Sequence, residues 1–179
     1  RRWQIVFVAA CLFLPGVARA STFQLGVWAD DARASGCVEV PPVGCFTLHG
    51  WAFVSDDLGL GYATYRFLFP DNVEPVGPPS LPREVIDLIV TDFADGTQEW
   101  NLVVTGCPTD WVKVFAQEFR ALGDRPAFID IVEDRCWLRD CTFVLNKVTV
   151  AGEVRVNDPE CGGVPVEAAS WGTAKTVFR

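Results

Sequence analysis

Six cysteines downstream of an apolar N-terminal segment constrain this chain more than any other feature. They are Cys37, Cys45, Cys107, Cys136, Cys141 and Cys161. The segment before them reads as an export signal. Arg1 and Arg2 supply positive charge, Ile5 to Leu14 form an apolar core, and Ala18-Arg19-Ala20 is a small-x-small cleavage site before Ser21. Residues 1–20 are therefore expected to be a signal peptide, too short to span a membrane, and residues 21–179 a single domain. Val8-Ala9-Ala10-Cys11 has the outline of a lipid-anchor site, but the apolar run continues through Leu12 to Leu14, which argues against a lipidated Cys11. An even number of cysteines in an exported chain points to a disulfide framework. Zinc is the competing use and fails on pattern. The short spacings are C-x7-C and C-x4-C, not paired C-x2-C knuckles, and His49 is the one histidine.

Local pattern suggests how the cysteines pair. Thr142 to Val150 and Glu153 to Asn157 look like strands about an Ala151-Gly152 turn, and as a hairpin they set Cys141 opposite Cys161. Trp111 to Ala121 and Ala127 to Glu133, folded about residue 124, bring Cys107 near Cys136 and Cys141. Cys37 and Cys45 then close their own Pro41-Pro42 loop. The expected bridges are 37–45, 107–136 and 141–161, each contributing about 2–4 kcal/mol. A link from Cys161 to Cys37 would mean that the register of the last hairpin is wrong.

Charge narrows the partners. Taking Arg1, Arg2 and Arg19 from the 15 basic residues leaves 12 against 23 acidic ones, a net charge of −11 after cleavage. So acidic a surface, with no Lys/Arg cluster, repels phosphate backbones and excludes nucleic acid as a partner. Half of the residues are hydrophobic, so a packed core is expected instead of a disordered acidic tail. No later apolar run is long enough to cross a membrane as a helix. Nothing in the pattern calls for a cofactor.

The runs themselves read as strands. Thr22 to Trp28 alternates apolar and polar positions, the period of a half-buried strand. Phe46 to Val54 and Tyr62 to Phe69 are expected to be the central pair of an antiparallel sheet. Pro70 to Pro82 holds five prolines and is a surface crossover, not a central strand. Val85 to Val90 and Gln98 to Val104 flank Asp95-Gly96, a hairpin signal in which both turn residues would take positive φ. Trp111, Phe115 and Phe119 share a face at period two and equally at the helical spacing i, i+4, i+8; the Gly123-Asp124-Arg125-Pro126 turn and the β-rich run after it make Trp111 to Leu122 a strand. Short strands with regular turn signals predict an all-β, antiparallel, Ig-like sandwich stapled by disulfides. The last stretch breaks that pattern. Ser170 can cap a short C-terminal helix whose one face carries Trp171 and Phe178.

Three short motifs carry a resemblance. Val27-Trp28-Ala29-Asp30 ahead of Cys37, Asp140-Cys141, and the closing Ser170 to Arg179 resemble exported single-domain bacterial β-sandwich proteins of unassigned function. That resemblance implies export and the sandwich, and no reaction.

Chemistry is sparse. His49 has no nucleophile elbow in sequence and reads as structural, so no catalytic residue is assigned. The many carboxylates meet the two-acid demand of glycoside hydrolysis trivially, which keeps a hydrolase as an alternative without singling out a pair. Asp92 and Asp95 are the candidate calcium ligands, although they do not match the EF-hand loop. Trp28, Trp51 and Trp137 fall at polar-face or loop positions and are the candidate platforms for stacking on sugars. The chain is thus expected to be a non-catalytic exported module for binding or surface interaction. It would act in the periplasm, at the cell surface or outside the cell, on an unknown protein or glycan. A carbohydrate-binding module is the alternative nearest to that.

Overall fold

The computed structural model describes residues 23–55 and 58–161. The expected signal peptide, Asp56-Asp57 and the expected C-terminal helix lie outside the described residues. In chain order the strands are β1 (Phe23–Trp28), β2 (Cys37–Val38), β3 (Cys45–Val54), β4 (Leu60–Leu68), β5 (Val73–Pro75), β6 (Val85–Asp92), β7 (Thr97–Val104), β8 (Asp110–Ala121), β9 (Ala127–Ile131), β10 (Trp137–Asp140), β11 (Leu145–Lys147), β12 (Thr149–Gly152) and β13 (Val154–Val156). Single 3-10 turns occupy Glu133–Arg135 and Pro159–Cys161.

Alternation builds the sandwich. In β3, Phe46, Leu48, Ala52 and Val54 are buried while Thr47, His49, Trp51 and Phe53 take the other face. In β4, Ala63, Tyr65 and Phe67 point into the same core. A strand with one apolar face must lay it on another sheet. Here a five-stranded sheet, in the order β12-β1-β3-β8-β5, packs on an eight-stranded one. The latter runs β11-β10-β4-β9-β13-β2, with β7 on the other side of β4 and β6 beyond β7. Tyr65, Phe67, Trp100 and Phe115 stack at its centre, with ring centroids 5.0–6.1 Å apart. The buried Tyr65 hydroxyl donates across the sandwich to the Trp51 carbonyl at 2.7 Å.

All-β and sandwich are as expected, but three local pairings are not. β3 and β4 do not pair. They sit in different sheets and face each other through the core. β8 and β9 likewise belong to different sheets, as do β12 and β13. The 142–150 and 153–157 runs therefore form no hairpin. β12 pairs parallel with β1, and β13 pairs parallel with β2 and antiparallel with β9. Where a hairpin was expected, the chain crosses from one sheet to the other, because each strand can bury its apolar face on either layer. The β6–β7 hairpin does form, but only Gly96 takes positive φ (81°). Gly96 N–H donates to Phe93 C=O and Phe93 N–H to Thr97 C=O, both at 3.0 Å.

The crossings also correct the disulfides. The bonds are Cys37–Cys161 and Cys107–Cys141, with Cα–Cα distances of 5.7 and 5.9 Å. The parallel β2–β13 pair brings Cys37 beside Cys161, and Cys45 is left exposed with a free thiol. Cys136 is also free, and buried. Its sulfur accepts from Arg66 N–H at 3.2 Å and donates to Val132 C=O at 3.4 Å. Burial pushes this thiol up to about 12, so it carries no reactive thiolate near neutral pH. Alkylation without reductant should therefore label Cys45 in the native protein and Cys136 only after unfolding, as read by peptide mass mapping. A native protein that protects Cys45, or one labelled at Cys37 or Cys161, would contradict this connectivity.

Candidate binding surfaces

The outer face of the five-stranded sheet gathers aromatic side chains. Trp51 and Phe53 of β3 lie beside Lys113 and Trp111 of β8 in register, and Trp28 of β1 is next to them. Phe53 and Trp111 are 5.2 Å apart, and Trp28 meets Trp111 edge-on at 5.5 Å. The loop after β1 covers this cluster. Asp30 ties it by accepting from Ala34 N–H at 3.0 Å, and Arg33, at φ 59°, lays its guanidinium over Trp51 and Trp111 at 5.0 and 4.4 Å. Trp28 is only 8% exposed, seated over Gly26 and Gly152, where any Cβ would strike its ring. Trp28 therefore offers little stacking surface, and the Trp51 ring is already occupied by Arg33.

His49 stands at the edge of this face. Lys113 Nζ donates to Asp31 Oδ1, and that same oxygen lies 3.5 Å from His49 Nδ1. The imidazole nitrogen is close enough to feel the carboxylate but makes no hydrogen bond, and the Trp51 indole N–H is also without a partner among the described residues. Burial, followed by the Lys113 charge, holds the His49 imidazole below its ordinary value, so it is neutral near pH 7. Its neighbours form an ion pair, not a nucleophile.

The calcium candidates have other partners. Asp95 accepts from the Thr97 N–H and hydroxyl and from Arg66, whose Nη2 is 3.3 Å away. Those Thr97 bonds come first in lowering its pKa. Asp92 accepts from Gln98 at 2.8 Å. A guanidinium thus stands where a cation would bind at Asp95. Among the described residues no group of three or more His, Cys, Asp or Glu side chains is placed to hold a metal ion. Arg66 itself is 3% exposed, stacked 3.3 Å over the Phe93 ring and hydrogen-bonded to Thr97. It anchors the β6–β7 hairpin to β4.

The larger sheet differs on its outer side. Of the exposed large hydrophobic residues, Leu68, Ile86, Ile89, Phe128 and Leu145 lie on its strands, and Val90 is exposed on the inner side of its edge strand β6. Phe93, Phe143 and Val144 lie in its loops, and Phe143 is 82% exposed. The strands of the five-stranded sheet contribute none. Between these residues Tyr62 carries Arg139 over its ring at 6.0 Å, and Trp137 sits opposite Thr64 on β4 and Lys147 on β11. The β10–β11 loop is held out by Asp140. Burial opposes ionisation of this carboxyl. Bonds from the Thr142 hydroxyl, Val144 N–H, Asn146 and Thr142 N–H outweigh it and keep the group below its ordinary value. A cleft of about 330 Å³ beside Trp137 is lined by Glu133, Asp134, Cys136, Lys147 and Val148. Trp137 thus has open space at its side, and it lies on the opposite sheet from Trp28 and Trp51. Tyr62, Arg139 and Phe143 had no sequence signal beyond strand parity and a loop position.

No family model matches the sequence, and no curated protein matches it. Solved structures do match. The sixth cohesin of scaffoldin B from Acetivibrio cellulolyticus superimposes with a TM-score of 0.58 at 15% identity, over 76% of this chain and 98% of that one. A cohesin module from a family 33 glycoside hydrolase of Clostridium perfringens gives 0.61 at 9% identity, over 77% and 98%. A non-cellulosomal cohesin from Archaeoglobus fulgidus gives 0.56 at 12%, over 78% and 94%. The fold is shared with cohesin modules. Among the described residues, no helix is long and apolar enough to cross a membrane.

Proposed function

We propose that this chain is an exported, non-catalytic module that binds a protein partner through the outer face of its larger sheet. The observation that carries this reading is that the exposed apolar side chains carried on strands all belong to that sheet, with Leu68, Phe128 and Leu145 on the same outer face as Tyr62, Trp137 and Arg139, although Val43 and Leu122 are exposed in the loops beside the other sheet. Aromatic residues and arginine are the types that dominate interface energetics, and a flat sheet face suits a protein better than a small molecule. The fold supports the same direction. The Acetivibrio cohesin was solved in complex with a dockerin, and so was a type I cohesin from Clostridium thermocellum. Two disulfides suit an oxidising compartment and so support export.

The cleft beside Trp137 favours a second reading, a glycan stacked on that ring with Glu133, Asp134 and Lys147 at its hydroxyls. One experiment separates the two. The immobilised chain is presented to the exported proteins of its own source and, separately, to a glycan array. The expected result is a captured protein whose affinity falls at least about tenfold with Arg139→Glu and with Phe143→Asp, while Trp51→Ala leaves it unchanged. Glycan binding lost on Trp137→Ala, with no protein released by the face variants, would replace the protein reading with the sugar one.

A further inference from the structure

We propose that β6 is a self-association edge, pairing antiparallel with β6 of a second copy about a two-fold axis through Ile89. This stands independently of the partner reading above, which concerns the face of the sheet and not its edge. β6 is the outermost strand, and among the described residues only β7 pairs with it. Its side chains are unusually bare for a strand: Ile86 is 64%, Ile89 53% and Val90 45% exposed. Protected edges carry lysines, prolines, bulges or very short strands; here the one bulge lies at the start of the strand, beside Ile86, and beyond it the register from Asp87 to Asp92 is regular with an aliphatic centre.

The hydrogen-bond phase shows which backbone groups are open. In an antiparallel ladder bonded and non-bonded pairs alternate. Phe93 bonds to Thr97. Counting back through the register, Thr91–Glu99, Ile89–Asn101 and Asp87–Val103 are the bonded pairs. The N–H and C=O of Leu88 and Val90 therefore point away from β7, towards the open edge. A new strand must bond to those two residues.

The order Asp87-Leu88-Ile89-Val90-Thr91 reads nearly the same from either end: polar, aliphatic, isoleucine, aliphatic, polar. Paired about Ile89, each Leu88 lies opposite Val90 of the second copy and each Asp87 opposite a Thr91 hydroxyl. Ile89 meets itself on the outer face. Leu88 and Val90, on the inner side with Leu102 and Trp100, would extend the core across the dimer. The neighbouring symmetric registers are worse. Centring on Leu88 opposes Ile89 to Asp87, and centring on Val90 opposes Leu88 to Asp92, so each sets a carboxylate against an aliphatic chain within two residues of the axis, whereas centring on Ile89 does so only three residues out, where Asp92 faces Ile86 at the bulge. The edge is thus its own best complement. A net charge of −8 opposes association at long range, so added salt strengthens it by screening.

Sedimentation velocity of the purified full chain tests this. At about 100 µM, where a micromolar interface is largely occupied, the expected weight-average mass lies between one and two monomers and close to two, and it moves closer to two with added salt. Val90→Pro removes an edge-facing N–H without touching the ladder to β7. Ile89→Lys places two ammonium groups together at the axis. Both are expected to weaken the dimer at least tenfold while circular dichroism and the melting transition remain those of a folded sandwich. Arg139→Glu should leave the dimer intact. A monomer at that concentration overturns the proposal, as does a dimer that both edge variants leave unchanged.

Discussion

Cys161→Ser should lower the unfolding free energy by about 5 kcal/mol, the largest effect expected of any single sulfur atom in this fold. The bond closes a separation of 124 residues. Cross-linking so long a loop removes more freedom from the unfolded chain than a short one does. The loss is about a third or more of what an ordinary domain has in total. Cys107–Cys141 closes a separation of only 34 residues, so Cys107→Ser should cost about 1 kcal/mol less by the same loop-length dependence. Urea unfolding of the oxidised wild type and of each variant measures both numbers. Stability within about 1 kcal/mol of wild type for Cys161→Ser would show that this cross-link does not restrain the unfolded chain.

The second large effect is expected at Gly50. This glycine faces the core on β3, opposite Phe115 of β8. A Cβ there would lie 2.1–2.5 Å from three carbons of the Phe115 ring. The ring cannot retreat, because Tyr65, Phe67 and Trp100 pack around it with centroids at 5.4, 6.1 and 5.0 Å. Gly50→Ala should therefore cost about 3 kcal/mol, the upper part of the usual range for overpacking. In a Phe115→Leu background the clash is relieved. The same alanine should then cost less than about 1 kcal/mol, a coupling of roughly 2 kcal/mol in the double-mutant cycle. Equal costs in the two backgrounds would mean that Gly50 is needed for its backbone and not for the space above it.

Gly50 and Phe115 also show how far pattern reading reaches. Trp111, Phe115 and Phe119 were expected on one face, because four-residue spacing keeps parity in a regular strand. The ladder with β3 skips Val114, pairing Gly50 with Phe115 and Trp51 with Lys113. Val114 and Phe115 are both buried, so the bulge turns Trp111 outward and Phe115 and Phe119 inward. The aromatic cluster outside β3 exists because of that one extra residue. Trp28 failed as an exposed platform for a related reason. Its parity was outward, as expected, but Gly26 and Gly152 left a seat into which the ring lies down.

The pairing of cysteines failed at a different level. Cys37, Cys107, Cys141 and Cys161 are bonded as a disulfide framework requires, but the expected 107–136 and 141–161 bridges assumed that consecutive strands pair, and 37–45 followed from them as the remaining pair. By itself the sequence determined that the chain is an all-β sandwich, which residues of the regular strands β3 and β4 face the core, where the β6–β7 turn falls and that cysteines staple the domain. Those follow from local quantities: the two-residue period, the turn chemistry of glycine and proline, and the cost of exposing aliphatic side chains. Which strand lies beside which was decided only by the tertiary structure. Backbone hydrogen bonds are blind to side-chain identity, and an apolar strand face is satisfied equally by either layer. The competition between a local hairpin and a crossing to the other sheet is settled by how the whole core fills. The disulfides, the covered tryptophans and the apolar outer surface of the larger sheet all follow from that choice.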